Sequence, residues 1–214
     1  MFGKNQEFGL STTSSPRTRR HQRTQQAILD AARAIISHEG VTALSMRAIA
    51  ERIDYSPAGL YEYFDSKDEI IAAVCDEAFD QLTQTLRSTD PTLPPREFLR
   101  ECGVNYVRFA IENTDAFLLM FTNAPLAAPP DAPAEVMLRQ SPAFMVLYDA
   151  VQRCVDAGIF TPRADYDVLA MAITCWQLVH GMAMLTVTIM RTRPPDLDAC
   201  RRALDVLLAG IAAQ

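Results

Sequence analysis

Apolar residues along this chain recur three and four positions apart, and no stretch alternates for long enough to suggest a strand. Ala27, Ile28, Ala31, Ala32, Ile35 and Ile36 form one such stripe, which predicts a helix over 18–38 with Gly40 as its left-handed cap. Ile70, Ile71, Val74, Phe79, Leu82 and Leu86 predict a long helix from Ser66 to 87, opened by a capping box in Ser66-Lys-Asp-Glu69. A proline-rich joint over 88–95 leads to a helix over 95–112 carrying Phe98, Leu99, Cys102, Tyr106 and Phe109. A short helix through Phe117–Phe121 follows, and then a proline- and alanine-rich stretch, 123–135, that predicts a mobile loop. Helices over 136–157, 165–190 and 196–212 complete the chain, the second opened by Asp165 and Asp167 and stopped by Pro194-Pro195. The expected fold is all-α, with about nine helices.

The densest pattern is SMRAIAERIDYSPAGLYEYFDSK, residues 45–67. Ser45 caps a short helix whose Met46, Ile49, Ala50 and Ile53 share a face. Asp54-Tyr55 leaves room only for a turn, and aspartate tolerates the left-handed conformation. Ser56 then offers a second cap with Pro57 at the first helical position, where a missing N–H costs nothing. Leu60 and Phe64 face inward, and Tyr61, Glu62 and Tyr63 ring the outside of a helix barely two turns long. So short a helix on a compact three-helix support suits insertion into a DNA major groove.

Charge sharpens this reading. The net charge of −6 argues against a generic nucleic-acid binder, but residues 1–67 hold nine Lys/Arg against seven Asp/Glu and the remainder eleven against nineteen. The positive charge near the start concentrates in Arg17, Arg19, Arg20 and Arg23, which serve either DNA or solubility. Residues 1–16 are polar and are expected to be a disordered tail. The five cysteines are widely spaced, and with three histidines they show no metal-ligand spacing; buried free thiols in a cytoplasmic protein are expected, with a redox sensor as the lesser alternative, and no cofactor. The apolar stretch 168–190 is interrupted by Gln177 and His180, so it reads as a buried helix and not a membrane span. Catalysis would rest on Cys175 and His180, five apart on one helix with no third group to orient them.

Gly40, Thr42, Ser45, Arg47, Ile49-Ala50, Ser56, Leu60-Tyr61, Tyr63-Phe64, Ser66-Lys67 and Asp68-Glu69 together resemble the TetR family of transcriptional regulators. The resemblance implies a helix-turn-helix DNA-binding domain over 17–67 and a ligand-binding, dimerising domain over 68–214, with the helix from Ser66 as connector. Implied DNA contacts are the four N-terminal arginines, Thr42, Ser45, Arg47, Ser56, Pro57, Ala58, Gly59, Tyr61, Tyr63 and Lys67. Arg47 is the best hydrogen-bonding reader, because Pro57, Ala58 and Gly59 carry no side-chain donor and suit thymine methyls. Ser45 serves equally as a cap, one tyrosine alternatively covers the small core, and Glu62, able to accept from a cytosine amine, reads rather as a surface charge.

Trp176, His180 and Gly181 spell W-x3-HG and resemble the C-terminal domain of the subgroup named for that trio. His180 on an apolar helix must find a polar partner, and Gly181 suggests a close backbone approach by a neighbouring helix or a second protomer. Tyr106, Phe109, Phe117, Met120, Phe121, Phe144, Tyr148, Met171, Trp176, His180 and Met184 are either ordinary core or the implied pocket for a small apolar or aromatic effector. The implied dimer interface draws on Leu185, Leu204, Leu207, Leu208 and Ile211. The partners implied are operator DNA, a second copy and an effector, and no membrane. A repressor is the first expectation, followed by an activator or a regulator without effector, then a protein-interaction module or a helical-bundle enzyme.

Overall fold

The computed structural model describes residues 15–122 and 134–212, and these form two compact units, Met1–Lys67 and Asp68–Gln214. The expected disorder over 1–14 and loop over 123–133 lie outside the described residues.

In the first unit, α1 (Pro16–Glu39) starts earlier than its apolar stripe, because the Ser15 hydroxyl accepts the Thr18 N–H at 3.1 Å and Pro16 takes the first helical position. Ser15 and Pro16 thus belong to a helix and not to a tail. Its end differs from the expected left-handed cap. Gly40 sits at φ 84°, ψ 162°, a region open essentially to glycine alone, and its N–H still reaches Ile36 O at 3.0 Å. A single 3-10 turn, Val41–Ala43, leads to α2 (Met46–Arg52) and α3 (Pro57–Leu60). Between them Asp54 takes the left-handed conformation at φ 53°. The core of this unit is Ile28, Ala31, Ala32, Ile35, Leu44, Ile49, Ala50, Leu60 and Phe64, all buried.

α3 is one turn long, where two were expected. Beyond it, Glu62 and Tyr63 donate to Gly59 and Leu60, three residues back, so the chain tightens instead of continuing as an α-helix. Gly59, a weak helix former, favours that early stop.

In the second unit, α4 (Lys67–Arg87), α5 (Pro95–Glu112) and α6 (Thr114–Thr122) follow the expected order. The single helix expected over 136–157 is two, α7 (Ala134–Gln140) and α8 (Pro142–Asp156). Ser141 caps the second by accepting the Phe144 N–H at 3.4 Å, and Pro142 cannot continue the first. α9 (Val168–Val187) is shorter than the expected 165–190, because Asp167 caps it through Ala170 N–H at 2.9 Å while Arg163 and Tyr166 bond to each other's backbone. α10 (Leu197–Ala212) ends the described chain, giving ten helices among the described residues.

α5 lies at the centre of this unit, packed on α8, α9 and α10. Gly103 makes that possible: a Cβ there would sit 2.9 Å from Leu204 Cδ1 and 3.0 Å from Val179 Cγ1. The close approach expected at Gly181 is absent within the protomer, where a Cβ would meet nothing within 4 Å. α9 is long and apolar enough to cross a membrane, and in this fold it packs against α5, α8 and α10.

Candidate functional site

The short helices of the first unit present an almost wholly exposed edge. The Ser45 hydroxyl accepts Ala48 N–H at 3.1 Å and the Ser56 hydroxyl accepts Gly59 N–H at 3.0 Å, so both serines cap their helices. Thr42, Ser45, Arg47, Ser56, Pro57, Ala58, Tyr61 and Lys67 are exposed, and Gly59 and Tyr63 are half-buried. Arg47 already holds a partner, its Nε donating to Glu51 Oε1 at 2.8 Å one turn on; both side chains are largely solvated, so this pair is weak and exchangeable. Arg17, Arg19, Arg20 and Arg23 are exposed on the first turns of α1, so they are held in helical register.

Two features of this edge were missed from sequence. His21 stacks on Tyr63 with ring centroids 4.6 Å apart, and Tyr55 meets Tyr63 edge-on at 6.3 Å. Tyr63 is therefore partly a structural ring, clamped from both sides, whereas Tyr61 is 55% exposed and makes no such contact. The Tyr63 hydroxyl pushes the Tyr55 phenol above its ordinary value by hydrogen bonding. Gly59 has a packing role too: a Cβ there would lie 2.6 Å from Tyr55 Cε1. No spacing signal announces these contacts, because they join residues of different elements.

The second unit encloses a cavity of about 770 Å³. α4 supplies Cys75, Phe79, Leu82 and Leu86, α5 supplies Leu99 and Tyr106, α6 supplies Met120 and Phe121, α8 supplies Phe144, and α9 supplies Trp176 and Val179. Of the expected pocket residues, Tyr106, Met120, Phe121, Phe144 and Trp176 line it. Phe109, Phe117 and Met171 do not; all three are buried in the surrounding core. Tyr148 instead carries the Arg139 guanidinium over its ring at 5.2 Å, and Met184 packs beside the core without reaching the cavity wall. The α4 wall was missed, since its stripe reads equally well as ordinary core.

His180 stands one layer behind the wall. Trp176 Nε1 donates to the Tyr106 hydroxyl at 3.4 Å, and that hydroxyl lies 2.9 Å from His180 Nδ1. The Tyr106 hydroxyl and the His180 ring thus satisfy each other's polar atoms inside an apolar cluster. The His180 ring is packed among Phe121 at 4.5 Å, Trp176 at 5.4 Å and Phe117 at 5.7 Å. Burial pushes the Tyr106 phenol up and the His180 imidazole down.

Stability should follow that shift. An unfolded histidine takes up a proton below about pH 6.5, whereas the folded His180 resists it, so its contribution is complete above that pH and is lost as pH falls. Urea unfolding at pH 7.5 and 5.5 is expected to show a larger drop for the wild type than for His180→Gln. An equal drop would assign the acid sensitivity elsewhere.

All five cysteines are free and buried, and burial pushes the Cys75 thiol up to about 11 and Cys175 up to about 12. His180 bonds to Tyr106, so the one nucleophile–base pair considered from sequence does not form. Leu204, Leu208 and Ile211, expected at a dimer interface, are buried in their own protomer's core. The stripe reading took the inward face of α10 for its outward one. Leu185 is exposed and Leu207 half-buried; the outward face of α10 carries Val206, 74% exposed, with Ala209 and Gly210.

Residues 28–74 match the family profile described as bacterial regulatory proteins of the tetR family, and residues 99–208 match the tetracyclin repressor-like C-terminal domain. Over 58 residues the chain is 40% identical to the HTH-type transcriptional repressor KstR of Mycolicibacterium smegmatis, covering 27% of this chain and 28% of that protein. A second alignment, 28% identical over 138 residues, covers 64% of this chain and 62% of the HTH-type transcriptional activator FasR of the same species. The chain thus spans little more than a quarter of the repressor and under two thirds of the activator. A solved Rhodococcus sp. RHA1 protein of unknown function shares the fold, with a TM-score of 0.72 at 22% identity over 96% of this chain and 100% of that one.

Proposed function

This chain belongs to the TetR family of bacterial regulatory proteins, and we propose that it is a sequence-specific DNA-binding transcriptional regulator, a cytoplasmic repressor released from its operator by a small apolar or aromatic effector. The observation that carries the reading is the pairing of an exposed helix-turn-helix edge in one compact unit with a large apolar cavity in the other. Domain roles follow: DNA reading over 17–67, ligand binding and dimerisation over 68–214. Tyr61, Lys67 and the α1 arginines hold phosphates, Arg47 exchanges Glu51 for a base edge, and Pro57-Ala58-Gly59 meet the groove floor. α4 lines the cavity and begins at Lys67, the last residue of the reading unit, so occupancy of the cavity acts on DNA affinity through that helix.

The hydrogen-bonded chain from Trp176 through Tyr106 to His180 supports a place in the Trp-His-Gly subgroup, since it gives both motif residues a shared structural task. An activator is the second reading, favoured by the alignment that FasR gives beyond the helix-turn-helix.

The working form is a homodimer joined through the outward faces of α9 and α10. Gly181 and Gly210 leave open surface there, beside Leu185 and Val206. Leu185→Glu/Val206→Glu should convert a dimer to a folded monomer by light scattering, because it places two charges per protomer in an apolar seam. A variant that stays dimeric would move the interface elsewhere.

Selection from a random duplex pool tests the function. Recovery of two-fold symmetric sites of constant half-site spacing is the expected result. No enrichment by the folded protein would remove the DNA-reading claim.

A further inference from the structure

We propose that the cavity of the second unit selects a hydrophobic cation, an amine or quaternary ammonium on an apolar body, and discriminates against carboxylates such as fatty acids. The inference rests on the reading of that cavity as the effector site and adds the sign of charge that the effector carries. The cavity makes the site, and its mouth sets the sign.

Every charge on its described lining is negative. Among the described residues, Asp76 and Asp80 are the only ionisable carboxylates there, and no lysine, arginine or histidine joins them. They stand four residues apart on α4, so they share one face, and both are exposed at the cavity edge. Neither has an ion-pair or hydrogen-bond partner among the described residues, in contrast to Glu101, which holds Arg100 and Arg201. The arginines next to lining positions are mostly committed elsewhere. Arg139 lies over the Tyr148 ring, and Arg100 bonds to Glu101 and Asp205. Residues 123–133, which join α6 to α7, include no lysine or arginine in their sequence.

The walls suit the same ligand. Phe79, Tyr106, Phe121, Phe144 and Trp176 line the cavity with aromatic rings, and such rings attract a cation as well as an apolar body. A carboxylate placed here would meet two like charges and, among the described lining residues, no cation. An ammonium would meet the reverse.

Trp176 is the only tryptophan and lines the cavity, so its fluorescence reads occupancy directly. Three probes of one length, decyltrimethylammonium, decanol and decanoate, are titrated below their micellar concentrations into the full chain and into Asp76→Asn/Asp80→Asn. The expected result is that the ammonium binds the wild type about tenfold or more tighter than decanoate, with decanol between them. The variant should bring that ratio towards one. Decanoate binding as tightly as the ammonium, or a ratio unchanged in the variant, would overturn the proposal while decanol binding leaves the effector site standing. If none of the three probes perturbs Trp176, the effector site and the proposal fall together.

Discussion

Phe117→Ala is expected to lower the unfolding free energy of the second unit by about 3–5 kcal/mol. Phe117 is fully buried, and its ring is surrounded by Tyr106 at 5.8 Å, Phe121 at 5.0 Å and His180 at 5.7 Å. Truncation removes the transfer free energy of a benzyl group and leaves a void lined by rings. Those rings have little room to collapse, because Tyr106 and His180 are tied to each other. The same void sits behind the cavity wall, so Phe117→Ala should also loosen the Tyr106–His180 hydrogen bond and shift Trp176 emission. Urea titration followed by Trp176 fluorescence measures both. A loss under about 1 kcal/mol would show that the cluster repacks freely, contrary to the close-packed core described above.

The second large effect is on DNA. Tyr61→Ala/Lys67→Ala is expected to weaken operator binding by about two orders of magnitude while leaving the helix content intact. Both side chains are exposed and neither fills the core of the reading unit, so their loss leaves Leu60 and Phe64 in place. A dimer applies the change twice, removing two lysine–phosphate neutralisations and two tyrosine contacts. The slope of log affinity against log salt should fall by about 2, because each lysine releases about one counterion. Tyr63→Ala makes an instructive contrast, since that ring is clamped between His21 and Tyr55 and its loss should lower stability as well. A double variant that binds within threefold of the wild type would remove both residues from the DNA contact.

How far the sequence led depends on the kind of feature. The serine caps at Ser45 and Ser56, Pro57 at the first helical position and the left-handed Asp54 are local, and all were legible. Element ends fared worse wherever a cap competed with a continuing apolar stripe, as at Ser141-Pro142, which divides one expected helix into two. Facing was harder still. α10 is amphipathic from either side of its stripe, and only packing on α5 shows that Leu204, Leu208 and Ile211 turn inward while Val206 turns out. The cavity was half legible. Aromatics on α5, α6, α8 and α9 were expected to form it, but its α4 wall and acidic mouth depend on how those helices meet, which no single stripe encodes. The His21–Tyr63 stack belongs to the same class of long-range contacts.

The claim beneath all of this is that the exposed edge of the first unit reads duplex DNA. A fluorescence-anisotropy titration of the purified protein on its selected duplex, repeated from about 50 to 200 mM salt, tests it most directly. The expected result is tight binding that falls steeply and linearly in log affinity against log salt, with a shallower line for Tyr61→Ala/Lys67→Ala. Binding that is absent, or indifferent to salt and to both substitutions, would contradict the account.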